Sequence, residues 1–270
     1  MNIYVFKANV YKYFITLYRA YPRSFFISSI LTITYTLLYS YILYEYIFEG
    51  EVNSSFIGEA GTSNYMGYIL VGVLVYSFTV STLLNVSRSL ITEKRIGTLE
   101  SVMLAPYNRG LYFLAYMVAQ TIHTFGELVF AIPILIVFKV KFAYFDLLSF
   151  IIVLSISLLA FLGLSLLLAN LMLYTRDTYI SQNTLFTVMF LICGINFPIT
   201  YLPSFVSKIS YLIPLTHSIK LFRGILLKGE SLMIQMDSVV ALILQGIIYS
   251  MIGFLTLKKV EKIALEKIGG

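Results

Sequence analysis

An all-α membrane protein with six transmembrane helices is the fold class this sequence predicts, and three observations predict it. Of the 270 residues, 59% are hydrophobic and 12% charged, where soluble domains carry roughly 45–50% and about 25%. The apolar residues collect in charge-poor runs of about 20, the length that crosses a hydrocarbon core of roughly 30 Å at 1.5 Å per residue. The remaining charges flank those runs, so the net charge of +6 is read as a topology signal. Nucleic-acid binding would instead need a basic patch interleaved with aromatics, and no nucleic-acid partner is expected. With 21 Phe and 22 Tyr the chain is not an ordinary disordered one. One cysteine, Cys193, and two distant histidines, His123 and His217, allow neither a disulfide nor a metal cluster, so no cofactor and no metal is expected in this chain.

Residues 1–23 come first. Ile3, Phe6, Val10, Phe14 and Leu17 recur at three- and four-residue steps, with Lys12 and Arg19 opposite, the pattern of an amphipathic helix lying in the membrane interface. Such a helix serves either as a lipid anchor alone or also as a contact for a cytoplasmic partner. The membrane domain occupies 24–257, with spans expected at 24–44, 65–87, 111–138, 147–173, 178–197 and 239–257, the third interrupted by Glu127 and Pro133. The stretch 198–237 is apolar but carries Pro203, Lys208 and Pro214, so we expect two short interfacial helices, near 203–212 and 215–227, in place of a seventh span. A tail, 258–270, ends the chain.

Thirteen of the nineteen Lys and Arg fall before the first span, between spans two and three, after span four or after span six, whereas the loop between spans one and two holds Glu45, Glu49, Glu51 and Glu59 without a basic residue. The positive-inside rule then places both termini in the cytoplasm of a multi-pass protein of the cell membrane.

The loop 88–110 is the most informative segment. Gly97 is placed to end the extension of span two in a left-handed conformation, and Thr98 to cap a new short helix with Glu100 in its first turn and Pro106 as its stop. Leu99, Val102 and Met103 share one face of that helix. Two turns are too short to be stable alone and this face is too apolar to stay wet, so the helix docks either into a partner or onto the lipid surface.

The run Glu93-Lys94-Arg95-Ile96-Gly97-Thr98-Leu99-Glu100, followed by Pro106, resembles the coupling segment of permeases of the type-2 ABC transporter family. A second match, Pro214-Leu215-Thr216-His217 and then Arg223, resembles that family's signature before the last span. The resemblance implies a permease subunit, not itself an enzyme, that pairs with a second permease, a homodimer being the default for symmetric assembly. It also implies two copies of an ATP-binding-cassette ATPase. This chain has no G-x-x-x-x-G-K-[ST] phosphate loop, so ATP and Mg would bind in that partner chain. Transport would be export of a drug-like, lipid or glycan substrate by alternating access. The resemblance assigns contact with the ATPase to Glu93, Arg95, Gly97, Thr98, Leu99, Glu100, Val102 and Met103.

Glu127 lies deep in span three, roughly 24 Å up the helix, where an ionised carboxylate in lipid costs at least about 2.5 kcal/mol. His123, one turn earlier, is its expected partner, either in a polar relay or gate or in a hydrogen bond that fixes packing. Thr79, Thr82 and Asn85 of span two, with Asn183, Thr187 and Asn196 of span five, either line a pathway or pack helices together. His217 and Arg223 are expected to hold the interrupted segment against the bundle or lipid head groups. A membrane-embedded lipid or polyprenyl transferase would need clustered carboxylates or a metal site, and an ion-coupled carrier several intramembrane charges. Neither pattern is visible.

Overall fold

The computed structural model describes residues 2–20, 27, 31, 34–35, 38–39, 41–47, 53–95, 97–98, 101–102, 109–137, 146–175 and 180–266. Among these the helices are α1 (Asn2–Ala20), α2 (Ser54–Ala60), α3 (Tyr65–Arg95), α4 (Arg109–Val137), α5 (Leu147–Thr175), α6 (Ile180–Ile192), α7 (Ser204–Ser210), α8 (Pro214–Arg223) and α9 (Met236–Glu266). The described positions between 27 and 42, in the expected first span, are helical and lead into a π-helical turn, Leu43–Ile47. No strand occurs among the described residues.

Polar side chains start three of these helices, where the backbone N–H groups of the first turn lack partners. Asn64 accepts from the Gly67 N–H at 2.9 Å at the head of α3. Asp146 accepts from the N–H groups of Leu148 and Ser149 at 3.1 and 3.3 Å at the head of α5. Asn53 accepts from the Ser55 N–H at the head of α2, a short helix in the acidic loop that the sequence reading did not anticipate. Phe56 ties it down by meeting the rings of Tyr65 and Tyr68 edge-on, at 5.6 and 5.1 Å.

Helix α5 is the hub, apolar all round as a membrane span should be, with half of that apolar stretch buried against its neighbours. It packs against α3, α8 and above all α9. Ala160, Gly163, Gly246 and Gly253 let the α5 and α9 backbones approach closely, the small-residue contact that associates helices in lipid: a Cβ on Gly246 would stand 3.2 Å from Ala160 Cα. Asn170 locks the same pair by donating to the Gly253 carbonyl at 2.8 Å and to the Thr256 hydroxyl at 2.7 Å. The core is filled by Tyr112, Phe113, Phe161, Leu166, Met172 and Leu215, all fully buried.

Three stretches, Tyr65–Leu84, Leu147–Met172 and Met236–Leu257, are long and apolar enough to cross a membrane by length and composition. Of the other expected spans, the first lies largely outside the described residues, and the third and fifth differ in form. The third is not broken: α4 stays helical through Glu127 and Pro133. Helix α6 covers 13 residues of the fifth, roughly 20 Å, and ends in a turn at Cys193–Gly194 instead of continuing to 197. The two short helices expected in 198–237 exist, as α7 and as α8 with its π-helical extension Gly224–Lys228. Yet α8 does not lie on an interface. Pro214, Leu215, Thr216, His217, Ser218, Ile219, Leu221, Phe222 and Arg223 are buried against α3, α5 and α9.

Candidate functional site

Helix α3 carries a polar constellation at each end. Tyr68 and Glu93 are 25 positions apart along it, about 38 Å in a straight helix.

At the Arg95 end, Gly97 adopts φ +75° and the Thr98 N–H reaches back to the Glu93 carbonyl at 2.9 Å. A six-residue closure of this kind, with a left-handed glycine just past the helix, satisfies a carbonyl that the last turn leaves open. The chain resumes a helical turn at once, with the Val102 N–H on the Thr98 carbonyl at 3.0 Å. The Thr98 hydroxyl donates to Glu93 Oε2 at 2.5 Å. Glu93 Oε1 pairs with the ammonium of Lys12, from α1. The Glu93 side chain is 1% exposed, engaged within the chain. Val102 is half-buried against the chain's own core. Leu99, Glu100 and Met103, and the side chain of Arg95, lie outside the described residues.

Helix α1 is correspondingly more than a float. Among its described side chains Tyr13 is buried; its hydroxyl donates to Gln120 Oε1 on α4 and its ring meets Tyr116 edge-on at 6.0 Å. The expected apolar stripe is wetter: Ile3 is exposed, and Phe6, Val10 and Phe14 are half-buried. Lys12, expected opposite the apolar stripe, is the cation of the ion pair and keeps 41% of its side chain exposed. Periodicity could not show this, because nothing in the sequence says what stands opposite a given face.

At the Tyr65 end, Arg223 is buried, and four hydrogen bonds hold it. Its Nε and Nη2 donate to the Tyr68 carbonyl at 3.1 and 2.9 Å, Nη1 to the Gly194 carbonyl at 2.7 Å, and Nη2 also to the Ile195 carbonyl at 2.6 Å. The guanidinium also lies 3.3 Å from the centre of the Tyr68 ring, a cation–π contact. Burial lowers its pKa to about 10, against the opposing pull of Tyr68, which leaves it charged at neutral pH. The Gly194 and Ile195 carbonyls lie just past the C-terminal end of α6, where a helix dipole favours a cation. The glycine at 72 makes room: a Cβ there would stand 2.6 Å from both Nη2 and the Ile195 carbonyl.

The turn between α7 and α8 is satisfied in the same manner. Thr216 donates to the Ser210 carbonyl at 2.7 Å, Gln245 of α9 to the Tyr211 carbonyl at 2.6 Å, and Tyr249 of α9 to the Leu212 carbonyl at 2.5 Å. His217 Nε2 also lies 3.1 Å from the Tyr211 carbonyl, so Nε2 carries the hydrogen there. Pro214 opens α8 at a position that needs no N–H. The sequence reading missed Tyr68, Gln245 and Tyr249, whose roles depend on a contact with another element.

The remaining predicted residues separate. Thr79 and Thr82 are fully buried and donate to their own helix, to the Val75 and Phe78 carbonyls at 2.8 and 2.9 Å. Asn183 and Thr187, four apart on α6, are exposed, and Asn196 is half-buried. His123 is buried on α4. The side chains of Asn85 and Glu127 lie outside the described residues. No group of three His, Cys, Asp or Glu converges as a metal site among the described residues.

A comparison with curated proteins finds no match. The family model described as ABC-2 type transporter matches residues 4–227, a stretch that takes in α1, the Gly97 break and the Arg223 clamp, and the chain therefore belongs to that family of transporter membrane domains.

Proposed function

We propose that this protein is the permease subunit of an ATP-binding-cassette exporter in the cell membrane, with both termini cytoplasmic, moving a drug-like, lipid or glycan substrate outward by alternating access. Two copies pair, and two copies of a separate ATPase chain, which hold the ATP and Mg, dock beneath them. The observation that carries this reading is the family match over 4–227, and the position of the Gly97 break at the basic end of α3 supports it.

In this reading the short helix that follows Thr98 seats in a groove of the ATPase through Leu99 and Met103. When the ATPase closes on nucleotide, the helix is displaced, and the displacement passes into α3 as a rigid-body movement. Helix α3 is suited to the role because its backbone ladder is continuous for 31 residues and its far end is held to α6 and α8 by Arg223. A shift at the cytoplasmic end therefore reaches the outer segment 198–237. His123, with Glu127 one turn on, supplies the polar element of α4 along the way.

The test is Leu99→Asp in the permease co-expressed with its ATPase. A charge in the groove contact should cut co-purification of the ATPase at least tenfold while membrane insertion and permease pairing survive, since the substitution touches no span. A Leu99→Asp complex of normal yield and normal ATP hydrolysis would return the segment to a lipid-surface helix.

A further inference from the structure

Glu93 stands out because its carboxylate is shared. One oxygen takes the ammonium of Lys12 from α1, the other takes the Thr98 hydroxyl at 2.5 Å, and its own backbone carbonyl takes the Thr98 N–H at 2.9 Å. Three separate pieces of chain thus meet on one residue: the interfacial helix, the end of span two and the start of the coupling segment. Burying a carboxylate is costly, and an uncharged side chain of the same shape often packs as well or better, so stability alone gives no reason for the acid. What the acid adds is dependence. Lys12 cannot withdraw without leaving a buried anion short of its cation, and Thr98 cannot swing away without removing the hydroxyl that serves the other oxygen. The Lys12 side chain is itself 41% exposed, so water has access to one side of the pair, and α1 is held a second time through Tyr13 and Gln120.

We infer that Glu93 is a positioning residue that fastens α1 and the coupling segment to the end of α3, so that the three move as one body when the ATPase moves. This deepens the coupling reading of 97–105 and rests on it. It also gives α1 a part in the stroke: the helix is a strap that travels with the coupling segment, beyond any service as a lipid anchor.

The experiment uses the full permease in nanodiscs with Cys193 replaced, and spin labels at the exposed positions Tyr11 and Ser101. In the parent protein the inter-label distance distribution should be narrow. In Glu93→Gln and in Lys12→Met it should widen at least twofold, and the swap Lys12→Glu with Glu93→Lys should narrow it again, a rescue that a purely steric role would not give. A second label pair at Ser54 and Ser204, in the complex with the ATPase, reads the outer side. The distance change produced by ATP with vanadate should fall at least threefold in Glu93→Gln and recover in the swap. A distribution that stays narrow in Glu93→Gln overturns the inference alone, whatever the ATPase does. An outer distance change that persists in Glu93→Gln but is lost in Leu99→Asp also overturns it while leaving the coupling reading intact. If Leu99→Asp too keeps the full outer change, the coupling reading fails and takes this inference with it.

Discussion

Both ends of α3 bury an ionic group, and they do so by opposite means. Glu93 is met by a cation from another element, Lys12, whose side chain is still 41% exposed. Arg223 is met by the neutral carbonyls of Tyr68, Gly194 and Ile195 and by an aromatic face. Parting that pair would rehydrate the lysine but strand a carboxylate that is 1% exposed, so a single contact carries the cost. A guanidinium with four bonds to the backbones of two different stretches of chain must lose them together. The same helix is thus fastened through one shared carboxylate at the Glu93 end and through a set of backbone carbonyls at the Tyr68 end.

The largest effect should come from breaking the Tyr68 end. Charge-assisted hydrogen bonds contribute about 1.5–3 kcal/mol each, so Arg223→Met, which removes every donor from three buried carbonyls, should cost well over about 4 kcal/mol of the roughly 5–15 kcal/mol a domain has. We expect poor yield and a thermal transition in detergent lowered by more than 10 °C. Arg223→Lys should fall between, since lysine keeps the charge but lacks the planar fork that serves diverging acceptors. A Met variant that melts within a degree or two of the parent would show that the clamp is incidental.

Two glycines sharpen the comparison at a smaller scale. Gly97 and Gly194 have nearly the same backbone, φ +75° and +73°, so alanine at either bears the same left-handed penalty of roughly 1–2 kcal/mol. Their surroundings differ. A Cβ at Gly97 meets nothing within 4 Å, whereas one at Gly194 would stand 2.6 Å from Ile199 Cγ1, so something must shift at the crowded end and nothing at the open one. Gly194→Ala should therefore destabilise more than Gly97→Ala by about 1 kcal/mol or more, read as the difference between their melting temperatures. Equal shifts would mean that the two ends are equally yielding.

The two ends also differ in how far they could be read in advance. The break at Gly97 was legible because it is local: a glycine after a helical run, followed by a threonine, is closed by bonds between residues five apart. The short helices α7 and α8 were legible from Pro203 and Pro214 for the same reason, and Asn53 with Gly61 would have marked α2 had that signal been used. What was not legible depends on distant pairing. Lys12 with Glu93, and Arg223 with Tyr68, link residues 81 and 155 positions apart, and no spacing rule joins them. The burial of α8 was missed for a related reason. A helix with a lysine and an arginine in its last turn has the composition of an interfacial helix until the carbonyls that receive the arginine are known. The fifth span was overestimated because apolarity continues beyond 192, whereas the helix stops where Gly194 turns and Arg223 takes the free carbonyls.

The smallest effect belongs to His217, which borders the Arg223 end without holding it. Its ring is buried, with one nitrogen on the Tyr211 carbonyl and Nδ1 without a hydrogen-bond partner among the described residues. Burial lowers its pKa below the ordinary 6.5, with the Tyr211 bond opposing and Lys220 adding to the lowering. The folded protein therefore takes up this proton less readily than the unfolded chain, and linkage fixes the sign: the contribution is whole above about pH 6.5 and is lost as pH falls through that value towards the lower folded pKa. Other groups titrate in the same range, so the observable is a difference. Between pH 7.5 and 5 the parent should lose more thermal stability than His217→Gln, which keeps a donor for Tyr211 but has no proton to gain, by about 1–3 °C. Parallel curves would mean that the α7–α8 turn opens enough to hydrate the imidazolium, and that the Arg223 end of α3 yields more than its hydrogen bonds imply.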